Sequence, residues 1–251
     1  MVGAFAHVSL LQLALVAAAA TFAAVIGGIA GYGTGLLLPL VLVPIIGPEP
    51  VVPVMAIGAL LTNTSRVTAF RASIDMRRVA IVLATAFPAC VLGAWFYTRL
   101  STAGAQLVIG TFLVASVPLR RIFQRWGYRL RAGGLAAGGA GFGAISGTAP
   151  GTGVILVSLL MAAGLTGGAV IATDAAISAI VHLVQTTVFG VAGVLDIRVI
   201  AMAALIGVCS VPGAFLARRI VDRLPLRLHT GILEAVVLIG GVAMVAGALK
   251  P

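Results

Sequence analysis

The residues in this chain best suited to chemistry are glycines, hydroxyls and a few ionisable groups set into apolar runs. The first group lies in Gly27–Pro39, GGIAGYGTGLLLP, centred on Gly31, Gly33, Thr34 and Gly35. Gly27, Gly31 and Gly35 are four apart, so on a helix they form one smooth face on which another backbone can lie. Gly33 and Gly35 also admit backbone angles that other residues resist, so the helix can break there. A similar unit, GGAGFGAISGTAPGTG, returns at Gly138–Gly153 and carries Gly143, Ser146, Thr148, Gly151 and Thr152. A helix that restarts after such a break presents unpaired N–H groups and about half a positive charge. Those groups bind anions without a cationic side chain. The hydroxyls of Thr34, Ser146, Thr148 and Thr152 can donate to an oxyanion. The competing explanation is that the glycines serve close helix packing alone.

Two more groups sit inside apolar segments. Thr62, Asn63 and Arg66 fall at helical spacing in 51–70, so Asn63 can orient an arginine that attracts an anion. The rival is an arginine that snorkels to lipid headgroups. Asp174, Ser178, His182 and Gln185 follow at steps of four, four and three, one continuous helical stripe with Thr173, Thr186 and Thr187 beside it. Ionisable groups facing lipid cost several kcal/mol, so this stripe is expected to face the bundle interior or a cavity. His182 changes charge near neutral pH, and desolvation would bring Asp174 into the same range. Either suits proton coupling; a structural interhelical hydrogen bond is the alternative. Glu234 reads as interfacial, and Asp75 and Asp196 as helix caps.

The elements holding these groups follow from composition. Of 251 residues, 61% are hydrophobic and 9% charged, more apolar surface than a soluble domain of this size can cover. The net charge of +10 is almost all arginine, in short stretches between apolar runs, where it sets membrane topology and faces anionic lipid. Nothing in that pattern suggests nucleic-acid recognition. Cys90 and Cys209 lie inside apolar runs and read as small hydrophobes. The apolar stretch at Leu10–Ala20 has no Lys or Arg before it, so it reads as part of a first span rather than as a signal peptide. The glycine units lack the Lys-Ser/Thr ending of a P-loop and the acidic ribose partner of a dinucleotide fold. No HExxH, CxxC or GxSxG occurs, and His7, His182 and His229 are too scattered for a metal site. Neither an enzyme nor a cofactor is expected.

Apolar segments fall at 9–30, 36–46, 51–70, 79–98, 104–119, 132–146, 151–164, 168–192, 198–217 and 231–249. A full span needs about 20 residues, so 36–46, 132–146 and 151–164 read as half-helices or bent hairpins flanking the glycine breaks. Arg71, Arg77 and Arg78, then Arg120, Arg121, Arg125, Arg129 and Arg131, then Arg218, Arg219, Arg223 and Arg227 mark three cytoplasmic stretches, which leaves both termini outside.

The halves echo one another. Ile74-Asp75-Met76-Arg77 matches Leu195-Asp196-Ile197-Arg198, and Gly93-Ala94-Trp95 matches Gly213-Ala214-Phe215. Five segments per half is an odd number, so the second copy is inverted. The expectation is an all-α polytopic membrane protein with 8–10 transmembrane segments. It comprises two inverted five-segment repeats with glycine-broken helices, 1–125 and 126–251, in one membrane domain.

Two glycine units of this form, a nearby Pro and this chain length resemble the sulfite exporter TauE/SafE family of bacterial membrane transporters. The resemblance implies a multi-pass protein of the bacterial inner membrane that moves a small sulfur-containing anion such as sulfite or a sulfonate. On that basis the substrate-binding candidates are Gly31, Gly33, Thr34, Gly35, Asn63, Arg66, Gly143, Ser146, Thr148, Gly151, Thr152 and Gln185. Asp174 and His182 are the coupling candidates. The expected partners are the anion, the bilayer and, for a coupled cycle, a proton. A passive anion channel and a non-transporting scaffold remain the alternatives.

Overall fold

A computed structural model describes the backbone of residues 8–30, 33–125, 129–220 and 226–249. Side chains are described over the same residues except 26–30, 33, 65, 69, 123–125, 214–220 and 226–233. Ten α-helices occupy the described residues, matching the ten apolar segments in order. They are α1 (Leu10–Ala30), α2 (Gly33–Ile46), α3 (Val51–Phe70), α4 (Met76–Tyr97) and α5 (Thr102–Arg125). The second five are α6 (Ala132–Thr148), α7 (Gly153–Ala162), α8 (Gly168–Val191), α9 (Ile197–Ile220) and α10 (Leu226–Ala248). A 3-10 turn, Arg71–Ser73, joins α3 to α4.

Three stretches, Met76–Tyr97, Thr102–Ile122 and Gly168–Val191, are long and apolar enough to cross a bilayer, and five shorter apolar helices accompany them. Large apolar side chains point outward, including Phe22, Leu92, Trp95, Val208 and Ile239. In water these would be a liability; in acyl chains they are the solvent-facing surface. The chain is a multi-pass helical membrane protein.

Local chemistry sets the helix ends. Asp75 starts α4 by accepting the Arg78 backbone N–H at 3.0 Å, and Asp196 starts α9 by accepting that of Val199 at 2.8 Å. The two echoed aspartates are therefore equivalent caps, each satisfying an otherwise orphaned donor. The Arg78 N–H bond is the main cause that holds the Asp75 carboxyl below its usual range, with the Arg78 guanidinium adding to it. Short α7 (10 residues) ends where its last carbonyls find donors: Arg78 reaches Ala163 O at 2.6 Å, and the Leu130 N–H reaches Ala162 O at 2.7 Å. The second contact sets the start of α6 beside the end of α7, so the two helices form a hairpin.

Lipid offers no hydrophobic drive for helix to meet helix, so close van der Waals packing must hold the bundle. The main contacts are α4 on α6, α1 on α9, α3 on α8 and α5 on α10, with α8 also against α4 and α9 against α3. Small residues make these crossings tight. Gly143 of α6 lies on Ala86 of α4, and a Cβ on Gly147 would come within 2.7 Å of Cys90 O. Gly213 of α9 lies on Thr21 and Ala24 of α1, while Gly110 of α5 meets Gly241 of α10. The core between the helices is filled by Leu38, Leu42, Ile109, Leu113, Phe142, Leu156 and Phe189. Cys90 is buried with its thiol 3.7 Å from Val181 O, and Cys209 is half-buried; neither forms a disulfide.

Candidate functional site

The two glycine units meet. α2 begins at Gly33, and α7 begins at Gly153 after the non-helical residues 149–152. Gly151, at φ 88, lies in the left-handed region that favours glycine. A Cβ on Gly151 would fall 2.9 Å from Gly35 O, so the first turn of α2 touches the non-helical stretch before α7 backbone to backbone. Of the glycine candidates, Gly31 lies outside the described residues. Gly143 sits away from the meeting point, against α4.

The hydroxyls around the contact are already engaged. Thr34 donates to Ala23 O at 3.2 Å, tying α2 back onto α1. Ser146 and Thr152 share a 2.6 Å hydrogen bond across the second interruption, and both are buried. Thr148 donates to Ile145 O in its own helix at 3.0 Å. Gln185 of α8 donates to Ser146 O at 2.8 Å, and its carbonyl lies 3.1 Å from His182 Nδ1. His182, Gln185, Ser146 and Thr152 are thus one chain of polar contacts from α8 to the start of α7. A buried amide so placed fixes the second interruption against α8, because losing either partner would strand a polar group.

Arg66, Asn63 and Asp174 form a second cluster. Arg66 Nη1 lies 3.5 Å from Asn63 Oδ1 and 3.8 Å from Asp174 Oδ2, bridging α3 to α8. Asp174 is 3% exposed, and its Oδ1 has no hydrogen-bond partner among the described residues. Thr173 next to it accepts the Asp75 N–H at 3.0 Å, which joins α8 to the start of α4. Asp174 and Gln185 stand on one stripe as the spacing predicts, but eleven residues, about 16 Å, separate them along the helix. One end of the stripe therefore serves Arg66 and the other serves the second interruption.

A third cluster was not legible as a site in the sequence. Leu36 and Val154, in the first turns of α2 and α7, line a small cavity with Ser116, Val117 and Arg120 of α5 and Glu234 and Val237 of α10. Its free space is about that of one water molecule. Arg120 and Arg121, read as topology charges, both bind Glu234. Glu234, read as interfacial, is 7% exposed. Arg120 and Glu234 are 114 residues apart, so no local spacing signals the pairing.

Interrupted helices in a membrane are tolerated where they are sheltered by protein, and a pair of them, one per half, is the hallmark of secondary transporters. The fold and these contacts define a multi-pass helical membrane protein that brings its two glycine units together. The chain belongs to the sulfite exporter TauE/SafE family, whose model it matches over residues 16–244. Comparison with curated proteins and with solved structures gave no match.

Proposed function

We propose that the protein is a secondary transporter that exports a small sulfur-containing anion, such as sulfite or an organosulfonate, across the bacterial inner membrane by alternating access. The observation that carries this reading is the meeting of the two glycine units at Gly35 and Gly151. The first turns of α2 and α7 carry N–H groups without intrahelical partners and a positive dipole end. Gly31, Gly33, Thr34, Gly35, Ser146, Thr148, Gly151 and Thr152 supply the backbone and hydroxyl donors, with Gln185, Asn63 and Arg66 completing the substrate set. When the interruptions part, hydroxyls now bonded within the protein become donors to the anion.

Alternating access needs two related bodies, and the packing supports two repeats, 1–125 and 126–251. Advance every helix by five, and α4 on α6 becomes α9 on α1, while α4 on α8 becomes α9 on α3. The contacts α3 on α8 and α5 on α10 map onto themselves. Five elements per half then invert the second copy, with both termini outside. The closed contact at Gly35 and Gly151 favours a carrier over a passive channel. Asp174 and His182 are the proton-coupling groups in this reading.

The test is flux into vesicles holding the purified protein, with sulfite, thiosulfate, sulfoacetate, taurine and sulfate as substrates. Saturable uptake with counterflow of one of these is the expected result. Conductance that does not saturate would point to a channel, and no flux at all to a scaffold. For coupling, Asp174→Asn and His182→Ala are compared across a pH gradient. Retention of pH-driven accumulation by both variants would remove protons from the cycle at these residues.

A further inference from the structure

Glu234 lies eight residues, about 12 Å, inside the first residue of α10. Both of its oxygens are engaged: Oε1 accepts from Arg120 Nη1 at 3.1 Å, and Oε2 accepts from Arg121 Nε at 3.1 Å and Nη2 at 2.5 Å. One carboxylate therefore faces two guanidinium groups, and the cluster keeps one formal positive charge. The Arg120 and Glu234 side chains are 12% and 10% exposed, whereas Arg121 is 62% exposed. A single arginine would neutralise Glu234; the second exceeds what an interhelical ion pair requires. The cavity beside the cluster adds Ser116 and the first turns of both half-helices, at Leu36 and Val154.

A carboxylate and the head of a sulfite, sulfonate or sulfate offer the same feature to a guanidinium fork, two oxygens at matching separation. The carboxylate of Glu234 thus occupies the position in which a free oxyanion would be held. We infer that Arg120 and Arg121 form a binding site for a small oxyanion, and that Glu234 is its tethered competitor, displaced when the anion arrives. This rests on the transport reading for the choice of ligand, and it assigns to the substrate two arginines outside the interruptions themselves. Displacement also removes the ion pairs through which Arg120 and Arg121 hold α10, leaving α5 and α10 in contact at the Gly110–Gly241 crossing. A free anion reaching the pair through exposed Arg121 would enter beside the half-helix starts, where the dipole ends favour it further.

The experiment measures sulfite and sulfate binding to the purified full-length protein by calorimetry, with wild type, Glu234→Gln, Glu234→Asp and Arg120→Gln compared. An internal competitor lowers apparent affinity by the fraction of time the site is free, so removing one that fills it nine-tenths of the time tightens binding about tenfold. Glu234→Gln is expected to bind about tenfold more tightly than wild type, and Arg120→Gln to lose binding. Glu234→Asp, whose shorter side chain weakens the contact while keeping the charge, should fall between wild type and Gln; it carries the comparison if the Gln variant does not fold. Equal or weaker binding in both Glu234 variants, unchanged binding in Arg120→Gln, or no binding to any of the proteins would overturn the inference. A response to phosphatidylglycerol nanodiscs with none to the free anions would overturn it too. Wild-type flux in vesicles separates the two readings. Saturable flux with unchanged Glu234 variants defeats this site and leaves transport standing, whereas tightened binding with no flux supports the site and defeats transport.

Discussion

Gly35 and Gly151 touch backbone to backbone, and neither has room for a side chain. A Cβ on Gly35 would lie 2.7 Å from Gly151 N, and one on Gly151 would lie 2.7 Å from a Leu36 methyl. Overpacking of this kind costs about 1–3 kcal/mol. The left-handed backbone at Gly151 adds about 1–2 kcal/mol for any residue with a Cβ. Gly35→Ala and Gly151→Ala are therefore expected to lower both Tm and flux, Gly151→Ala by more. Gly153→Ala, with nothing within 4 Å, serves as the control that keeps both. Wild-type Tm and flux in both Gly35 and Gly151 variants would show that the interruptions do not meet.

Neighbouring glycines of α6 are expected to behave in opposite ways. A Cβ on Gly147 would lie 2.7 Å from Cys90 O and 2.5 Å from Ala94 N, whereas one on Gly141 meets nothing within 4 Å. Gly147→Ala should cost about 1–3 kcal/mol by forcing α6 off α4. Gly141→Ala should be neutral or stabilise by up to about 1 kcal/mol through helix propensity. Thermal unfolding in detergent, read by circular dichroism, separates the two. A Gly147 variant as stable as the Gly141 variant would contradict the crossing described here.

Asp75 makes stability depend on acid pH. Its carboxyl titrates below the ordinary range because the Arg78 N–H and guanidinium favour the charged form. A depressed folded-state value means that the contribution is present above the unfolded value, about 3.9. It is lost as pH falls through the lower folded value. Asp75→Ala should cost about 1 kcal/mol at neutral pH, the usual loss for an N-cap. Asp75→Asn keeps the cap acceptor and should flatten the acid limb of the Tm profile. An unchanged acid limb in Asp75→Asn would assign that limb to other carboxylates.

Gln185→Leu tests the polar chain between α8 and the second interruption. The substitution leaves the buried Ser146 carbonyl without its donor, a loss of about 1–3 kcal/mol. The expected result is a lower Tm together with reduced flux. Gln185→Glu, which lacks the donating NH2 group, should show the same loss if the Ser146 contact is what matters. Full flux in both variants would mean that the contact serves neither packing nor transport.

The ten segments and the second interruption were legible because they depend on local properties. An apolar run, a glycine cluster and a capping aspartate each act within a turn or two of themselves. Asp75 and Asp196 were read as caps, and caps they are. What the sequence could not supply was register between helices distant in the chain. The Arg66–Asp174 pair requires α3 and α8 to cross at one particular height, and the Arg120–Arg121–Glu234 cluster requires the same of α5 and α10. Arginine near a helix end carries a strong topological signal, and that signal hid a second role at Arg120. Gly143 shows the reverse case, a glycine in a motif that suggested a ligand and that lies against the Ala86 backbone.

The strongest crossings, α4 on α6 and α1 on α9, each join a helix of one half to a helix of the other. The chain is therefore braided: α4 of the first five helices holds α6, and α9 of the last five holds α1. A fragment ending near residue 125 would leave bare the groove that α6 ordinarily fills. Such a fragment should stay misassembled when made alone, and recover its shape only when the remaining piece is synthesised in the same membrane.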